Sequence, residues 1–203
     1  MDPFRVIVLG RPAPEGSKKA MPIYRKNKAS GEREFTGHAN IIDEPTTRLA
    51  QWRQNIHTAA HPLAHCTCPD PGCVDFATGF PIDEPVIASM VFAFGRPRSH
   101  YRTGRNADLL SSEGLATSRP VAANIGDLEK LARAMADGLQ AAGVLCNDKQ
   151  IVEFCRLAKV WVDDDRTELT VPGAVVWLLP DRPVTRTLAP LVSRPNAREA
   201  GLW

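Results

Sequence analysis

Residues 126–150 read GDLEKLARAMADGLQAAGVLCNDKQ, and this stretch decides the interpretation of the whole chain. Its apolar residues recur at steps of three and four, as on one face of an α-helix: Leu128, Leu131, Met135, Leu139 and Ala142. Gly143 then supplies the usual helix stop. The sequence therefore predicts an amphipathic helix that faces a core, then a turn, and then a strand that begins at Ile151.

Carboxylates stand at both ends of this helix. Asp127 precedes the first apolar position, Glu129 lies in the first turn, and Asp148 lies between the turn and the next strand. Because helical residues are about 100° apart, Asp127 and Glu129 converge only if Asp127 is still extended. Converging carboxylates suit Mg²⁺, which prefers hard oxygen ligands and takes few of them from protein. Helix capping by Asp127 and ordinary surface solvation are the alternative explanation.

Three stretches of the chain occur in the order found in one known family. They read GRPAPEGSK at 10–18, RPRSHYRTGRN at 96–106, and DLEKLARA, DGL and NDKQIV within 127–152. Together they resemble the RusA-like Holliday junction resolvases, whose core reads approximately D-[LIV]-D-[NK]-L-x-[KR]-A-x-x-D-[AG]-L before a turn that ends in D-D or N-D. The resemblance covers roughly residues 4–20 and 86–175.

The resemblance implies a crossover junction endodeoxyribonuclease that resolves four-way DNA junctions by paired phosphodiester hydrolysis. Asp127, Glu129 and Asp148 would hold Mg²⁺, with Mn²⁺ as a possible substitute, and Arg133 and Lys130 would bind the scissile or adjacent phosphate. It also implies a homodimer, because symmetric incisions in a two-fold substrate need two sites. Neither a nucleotide cofactor nor a membrane is expected.

Two positions depart from the family pattern. Glu129 stands where the family usually has aspartate, and its carboxylate reaches about 1.5 Å further. Arg133 stands at the position of the family's catalytic lysine, and an arginine clamps phosphate but does not donate a proton at working pH. A junction-binding relative that does not cleave DNA is therefore a second interpretation.

The basic residues are unevenly distributed. The chain has 25 basic and 23 acidic residues, so its net charge of +2 indicates no global attraction to nucleic acid. Residues 1–36, however, carry eight Lys or Arg against four acids, and residues 96–105 carry four Arg without an acid. Such segments can follow phosphates, although a solvated surface is the common alternative. The predicted DNA contacts are Lys18, Lys19, Arg96, Arg98, Tyr101, Arg102, Arg105 and Lys130.

Residues 57–73, HTAAHPLAHCTCPDPGC, concentrate histidine and cysteine outside the stretches that resemble the family. Zinc favours tetrahedral nitrogen and sulfur ligands, and the candidates here are His61, His65, Cys66, Cys68 and Cys73. The Cys66-x-Cys68 spacing is shorter than usual, and His57 and His61 also fit an exposed helix face. A solvent-exposed loop is the alternative to structural zinc, and a zinc-stabilised interaction module is a third interpretation of the chain.

The predicted elements form one domain over residues 1–180, with an insert at about 57–83 and a Pro/Arg-rich tail at 181–203. Strands are expected at 4–9, 85–94, 151–162 and 168–179, and a first helix from 46 to 56 is ended by Pro62. Residues 10–34 read as an exposed loop or hairpin over the site. The order β-α-β-α-β-β predicts an α+β fold, similar to RusA-like proteins, with helices packed on one face of a mixed sheet.

No apolar stretch reaches the length of a transmembrane helix, and the N-terminus lacks a signal-peptide pattern. These features predict a protein of the bacterial cytoplasm or of a phage-infected host cell. Five cysteines are an odd number, and in a reducing compartment they do not indicate a disulfide framework.

Overall fold

The elements below come from a computed structural model that describes residues 3–16, 18–26, 31–43, 47–65 and 80–181. Its strands are β1 (Phe4–Leu9), β2 (Lys18–Lys26), β3 (Arg33–Asp43), β4 (Val86–Phe94), β5 (Ile151–Trp161) and β6 (Gly173–Pro180). Its helices are α1 (Thr47–Ala64), α2 (Ser112–Ala116) and α3 (Leu128–Ala141). Short 3₁₀ turns lie at Arg98–His100, Gly104–Asn106, Ala123–Ile125 and Asp148–Gln150.

Four strands form a mixed sheet in the order β1-β6-β4-β5. β6 is antiparallel to both β1 and β4, whereas β4 and β5 are parallel. The period of two in a strand places alternate side chains on one face. On β1 these side chains are Phe4, Val6 and Val8, all of them buried.

Helices α1 and α3 pack on that face of the sheet. Trp52 of α1 and Met135 of α3 belong to the same core as Val6 and Met90 of the sheet. The helices approach closely at Gly138, because a Cβ there would stand 2.8 Å from Ile56. The opposite face carries a smaller cluster made of Val91, Ala93, Val160, Leu169 and Val175.

The α+β class and the mixed sheet are confirmed by these elements. Compared with the predicted order, the chain has an extra hairpin, β2–β3, between β1 and α1, and the short helix α2 before α3. The side chains described in this hairpin are exposed or, at Thr36, half-buried. Most of the predicted insert, and all of the tail except residue 181, lie outside the described residues. Within the described ranges, no helix is both long and apolar enough to cross a bilayer.

Two predicted boundaries are wrong. Helix α1 continues past Pro62 to Ala64, because Pro62 lies in its last turn, where only the bond to Thr58 is lost, and the buried residues Ala60 and Ala64 keep that turn packed. Strand β6 begins at Gly173 rather than at residue 168. Pro172 has no N–H for a ladder, and the residues from 167 to 171 are irregular, with Leu169 packed in the smaller cluster.

Candidate functional site

Two loops meet at the N-terminal end of α3 and fix the backbone of the acidic segment. Gly126 has a φ of +82°, and a Cβ there would stand 2.5 Å from Pro14. The N–H of Glu15 donates to the carbonyl of Lys130 at 3.0 Å. Lys159 of β5 donates from Nζ to the carbonyl of Gly126, also at 3.0 Å. The residue just before Asp127 is therefore held from both the first loop and the sheet.

Asp127 occupies the N-cap position of α3 with extended backbone angles, φ −76° and ψ 143°. Within the described residues its side chain makes no capping hydrogen bond. The backbone of Asp127 is therefore extended, as convergence with Glu129 requires. The alternative, that Asp127 serves as a helix cap, lacks the hydrogen bond that a cap would make. Both side chains face solvent, with exposed fractions of 74% for Asp127 and 89% for Glu129.

Two cations stand beside these carboxylates. Lys130 Nζ lies 3.4 Å from Asp127 Oδ2, and Arg133 Nη2 lies 4.0 Å from Glu129 Oε1. Exposed ion pairs of this kind contribute little to stability. A divalent ion can therefore compete for the carboxylates, and a phosphate can compete for the cations, at small conformational cost.

Asp148 lies at the opposite end of α3. Its N–H donates to the side-chain oxygen of Gln140 at 3.1 Å, in a turn that Asn147 caps. Asp127 and Gln140 are 13 positions apart, which is about 20 Å at the rise of an α-helix. The predicted site of three carboxylates therefore does not form within one protomer. Among the described residues, no group of three or more His, Cys, Asp or Glu is placed to hold a metal ion.

Arg96 is enclosed by the fold, contrary to the prediction that it contacts DNA. Its side chain is only 9% exposed, and its Nε lies 2.9 and 2.8 Å from the two carboxylate oxygens of Asp163. Its Nη1 donates to the carbonyls of Gly114 and Thr117 at 2.8 and 3.0 Å. The guanidinium also lies over the Trp161 ring, 5.1 Å from its centroid. With Nε and Nη1 engaged and only 9% of the side chain exposed, Arg96 is poorly placed to bind a phosphate.

The other predicted DNA contacts on this loop remain accessible. Arg98, Arg102 and Arg105 are exposed, and Tyr101 is half-buried in an isolated bridge to Leu110. Lys130 stands at the carboxylates described above. Lys18 and Lys19 lie in β2, but their side chains are outside the described residues. These contacts stay predictions.

The histidines of the predicted zinc site form a row on α1. The rings of His57 and His61 are 4.7 Å apart, and those of His61 and His65 are 4.3 Å apart. Desolvation, followed by the charges of His65 and His57, lowers the pKa of His61. Cys66, Cys68 and Cys73 lie outside the described residues, so the zinc site stays a prediction.

Lys159 is the residue of this site that the sequence analysis missed. In the β4–β5 register it stands opposite Phe92, and Trp161 stands opposite Phe94. It therefore shares the helix-covered face with buried aromatic residues. A lysine between Leu157 and Trp161, which both face the core, is the signal that would have revealed it.

No family model matches this sequence. A search of curated proteins likewise finds no match. The resemblance to RusA-like resolvases therefore rests on the motifs alone.

Proposed function

We propose that this protein is a magnesium-dependent endodeoxyribonuclease that cuts four-way DNA junctions as a homodimer. One observation carries the proposal: Asp127 precedes α3 in an extended conformation, its carboxylate makes no capping hydrogen bond within the described residues, and Glu129 follows in the first turn. Mg²⁺ commonly takes one or two carboxylates from protein and fills its other positions with water and substrate phosphate. Two carboxylates at the end of α3 fit that requirement.

The residues around the carboxylates suit phosphate chemistry. Bound Mg²⁺ would supply Lewis acidity and an activated water molecule. Lys130 and Arg133 bind phosphate oxygens, Arg133 through its bidentate guanidinium. Lys159 acts as a positioning residue, because its ammonium holds the carbonyl of Gly126 and thereby the backbone that presents Asp127.

In a homodimer, Asp148 of one protomer could approach Asp127 and Glu129 of the other. β5 is an edge strand, and its residues from 152 to 156 are exposed, including Val152 and Phe154 at 55% and 43%. Exposed apolar edges readily pair with another strand. If two copies of β5 pair antiparallel over 152–156, the start of β5 in one protomer lies beside the end of β5 in the other. Asp148, in the turn just before β5, would then lie near the end of the partner's β5 that carries Lys159.

Charge-removing variants test the proposal. We expect Asp127→Asn and Asp148→Asn homodimers to bind four-way junctions but not to cut them with Mg²⁺, because each lacks an ion ligand. Asp83→Asn, at an exposed acid outside the site, is the matched control and should cut normally. Wild-type protein that leaves junctions intact in both Mg²⁺ and Mn²⁺ would refute the nuclease proposal.

A mixed dimer locates Asp148. In a heterodimer of Asp127→Asn with Asp148→Asn, purified through two different tags, ligands shared between protomers leave one intact site. Such a heterodimer should therefore nick a single strand of the junction. Ligands confined to one protomer would leave both sites defective and the heterodimer inert. A fully active Asp148→Asn homodimer would instead show that Asp127 and Glu129 suffice.

A second candidate function is junction binding without cleavage. Two observations favour it. Asp148 is separated from Asp127 by the length of α3, and Lys130 and Arg133 already pair with Asp127 and Glu129. The same assay distinguishes the candidates, because a binding protein shifts junctions in a gel but releases no cut product in either metal.

A further inference from the structure

A pocket lies beside the acidic segment, at the end of the sheet where the parallel strands β4 and β5 finish. Its volume is about 540 Å³, within the usual range for ligand pockets. The last residues of these strands, Phe94 and Trp161, line it together with Pro97, Val121 and Ile125, and Arg11 and Asn124 also line it. Cavities at the carboxyl ends of parallel strands are common ligand sites.

The pocket is continuous with the candidate catalytic end of α3. Ile125, which lines it, is two residues before Asp127. Trp161 shares a face of β5 with Lys159, whose ammonium holds Gly126. Arg11 and Asn124 also line a neighbouring cavity of about 410 Å³ with Pro14 and Glu15, on the loop that packs against Gly126. A DNA strand with a phosphate at Asp127 therefore has this pocket within reach of an adjacent nucleotide.

The chemistry of the lining suits a flat aromatic ligand with a polar edge. The walls are mainly aromatic and aliphatic, whereas polar groups are few. The Trp161 Nε1–H already donates to Thr117, and Nε and Nη1 of Arg96 donate to Asp163, Gly114 and Thr117. His100 is only 8% exposed, and its buried Nδ1 has no hydrogen-bond partner within the described residues. Within the part of the chain that the structure describes, the side chains of Asn124 and Arg11 make no hydrogen bond either, so these groups and His100 are available to a ligand.

We propose that this pocket receives an unstacked nucleobase from the branch point of the junction, an inference that rests on the proposed function. Enzymes that take a base out of its stack bind it between apolar side chains and read its edge by hydrogen bonds. Asn, Arg and His supply such bonds, whereas the apolar walls supply stacking. A branch point offers bases whose stacking is already interrupted, so the cost of extrusion is lowest there.

Fluorescence of 2-aminopurine tests the pocket independently of cleavage. We place the analogue at each branch-point position of a four-way junction and bind wild-type protein in Ca²⁺, which holds the complex without supplying magnesium. Loss of stacking in the DNA should raise the fluorescence severalfold at one or two positions. Val121→Trp adds bulk to the pocket from a side chain that is 77% exposed. It should abolish the rise and weaken junction binding about 10-fold, the scale of one lost base stack.

Leu115→Trp is the matched control, because Leu115 is 67% exposed on α2 and does not line the pocket. It should keep both the fluorescence rise and the affinity. If wild-type protein cuts junctions in Mg²⁺ while 2-aminopurine stays dark at every position, the pocket inference fails and the nuclease survives. If the analogue brightens but Mg²⁺ and Mn²⁺ give no cut, the nuclease fails and the pocket survives. A normal rise with Val121→Trp would also overturn the inference.

Discussion

Replacing Arg96 with alanine distinguishes a structural role of this residue from a DNA-binding one. Arg96 is the first arginine of a loop whose sequence predicts phosphate contacts, yet it is almost fully enclosed. It bridges the carboxylate of Asp163 to the carbonyls of Gly114 and Thr117 and covers Trp161. The substitution therefore removes contacts that join the end of β4, the segment around α2 and the turn after β5.

The expected cost follows from these partners. A buried carbonyl left without a donor costs about 1–3 kcal/mol. The carbonyl of Gly114 would lose its donor, whereas that of Thr117 keeps the Trp161 Nε1–H. The ion pair adds less, because Asp163 is 37% exposed and solvent screens it. We therefore expect a loss of about 2 kcal/mol in the free energy of unfolding. In a domain of this size, that corresponds to a fall in Tm of about 4–8 °C.

Thermal unfolding and junction binding, measured on the same preparation, test this expectation. Arg98→Ala is the matched control, because Arg98 is exposed two residues away. It should leave Tm within about 1 °C of wild type, as exposed substitutions usually do. Arg96→Lys should also destabilise, because an ammonium cannot reach all three partners. If Arg96→Ala weakens DNA binding without lowering Tm, the structural assignment is wrong.

Two further predictions concern salt and pH. Replacing Arg102 and Arg105 with alanine should flatten the dependence of log junction affinity on log salt by up to about 0.9 per lost contact. Arg5→Ala, on the sheet face away from the helices, should not alter that slope, and an unchanged slope in the double variant would exclude phosphate contacts there. Because the pKa of His61 is lowered in the folded state, the unfolded chain takes up its proton first, and stability falls as the pH drops below about 6.5. Between about pH 7.5 and 5.5, Tm should therefore fall less in His61→Gln than in wild type, whereas His38→Gln should behave like wild type. Equal falls in wild type and His61→Gln would contradict the stacked arrangement.

Hydrophobic periodicity was sufficient to predict the elements that form the core. The apolar stripe of α3 is buried except for half-buried Leu128, and the alternation in FRVIVL reappears as the inward side chains of β1. Both patterns depend only on the local geometry of a helix or a strand. The sequence does not distinguish a loop from a hairpin over residues 10–34. The described side chains of β2 and β3 are almost all exposed, so no apolar pattern marks these strands.

The errors at the site arise where a role depends on distance or on a remote partner. Four arginines in ten residues predict phosphate contacts equally well, but Arg96 alone meets Asp163, which lies 67 positions further along the chain. Counting charge within a segment cannot reveal such a partner. The motif likewise predicts that Asp148 and Asp127 share one site, because it records only their order along the chain. The length of the helix between them separates the two residues in space.

The packing of α3 explains which groups this molecule can bring together. Because its apolar stripe holds α3 antiparallel to β5, the first turn of α3 lies near the carboxyl ends of β4 and β5, and its last turn lies near Asp148 and the start of β5. Asp127, Glu129, Lys159 and the pocket therefore share one end of the domain. In the proposed homodimer, Asp148 would come from a second protomer whose β5 runs in the opposite direction. The two-fold symmetry of that homodimer would then complete each proposed ion site and also match the two-fold symmetry of a four-way junction.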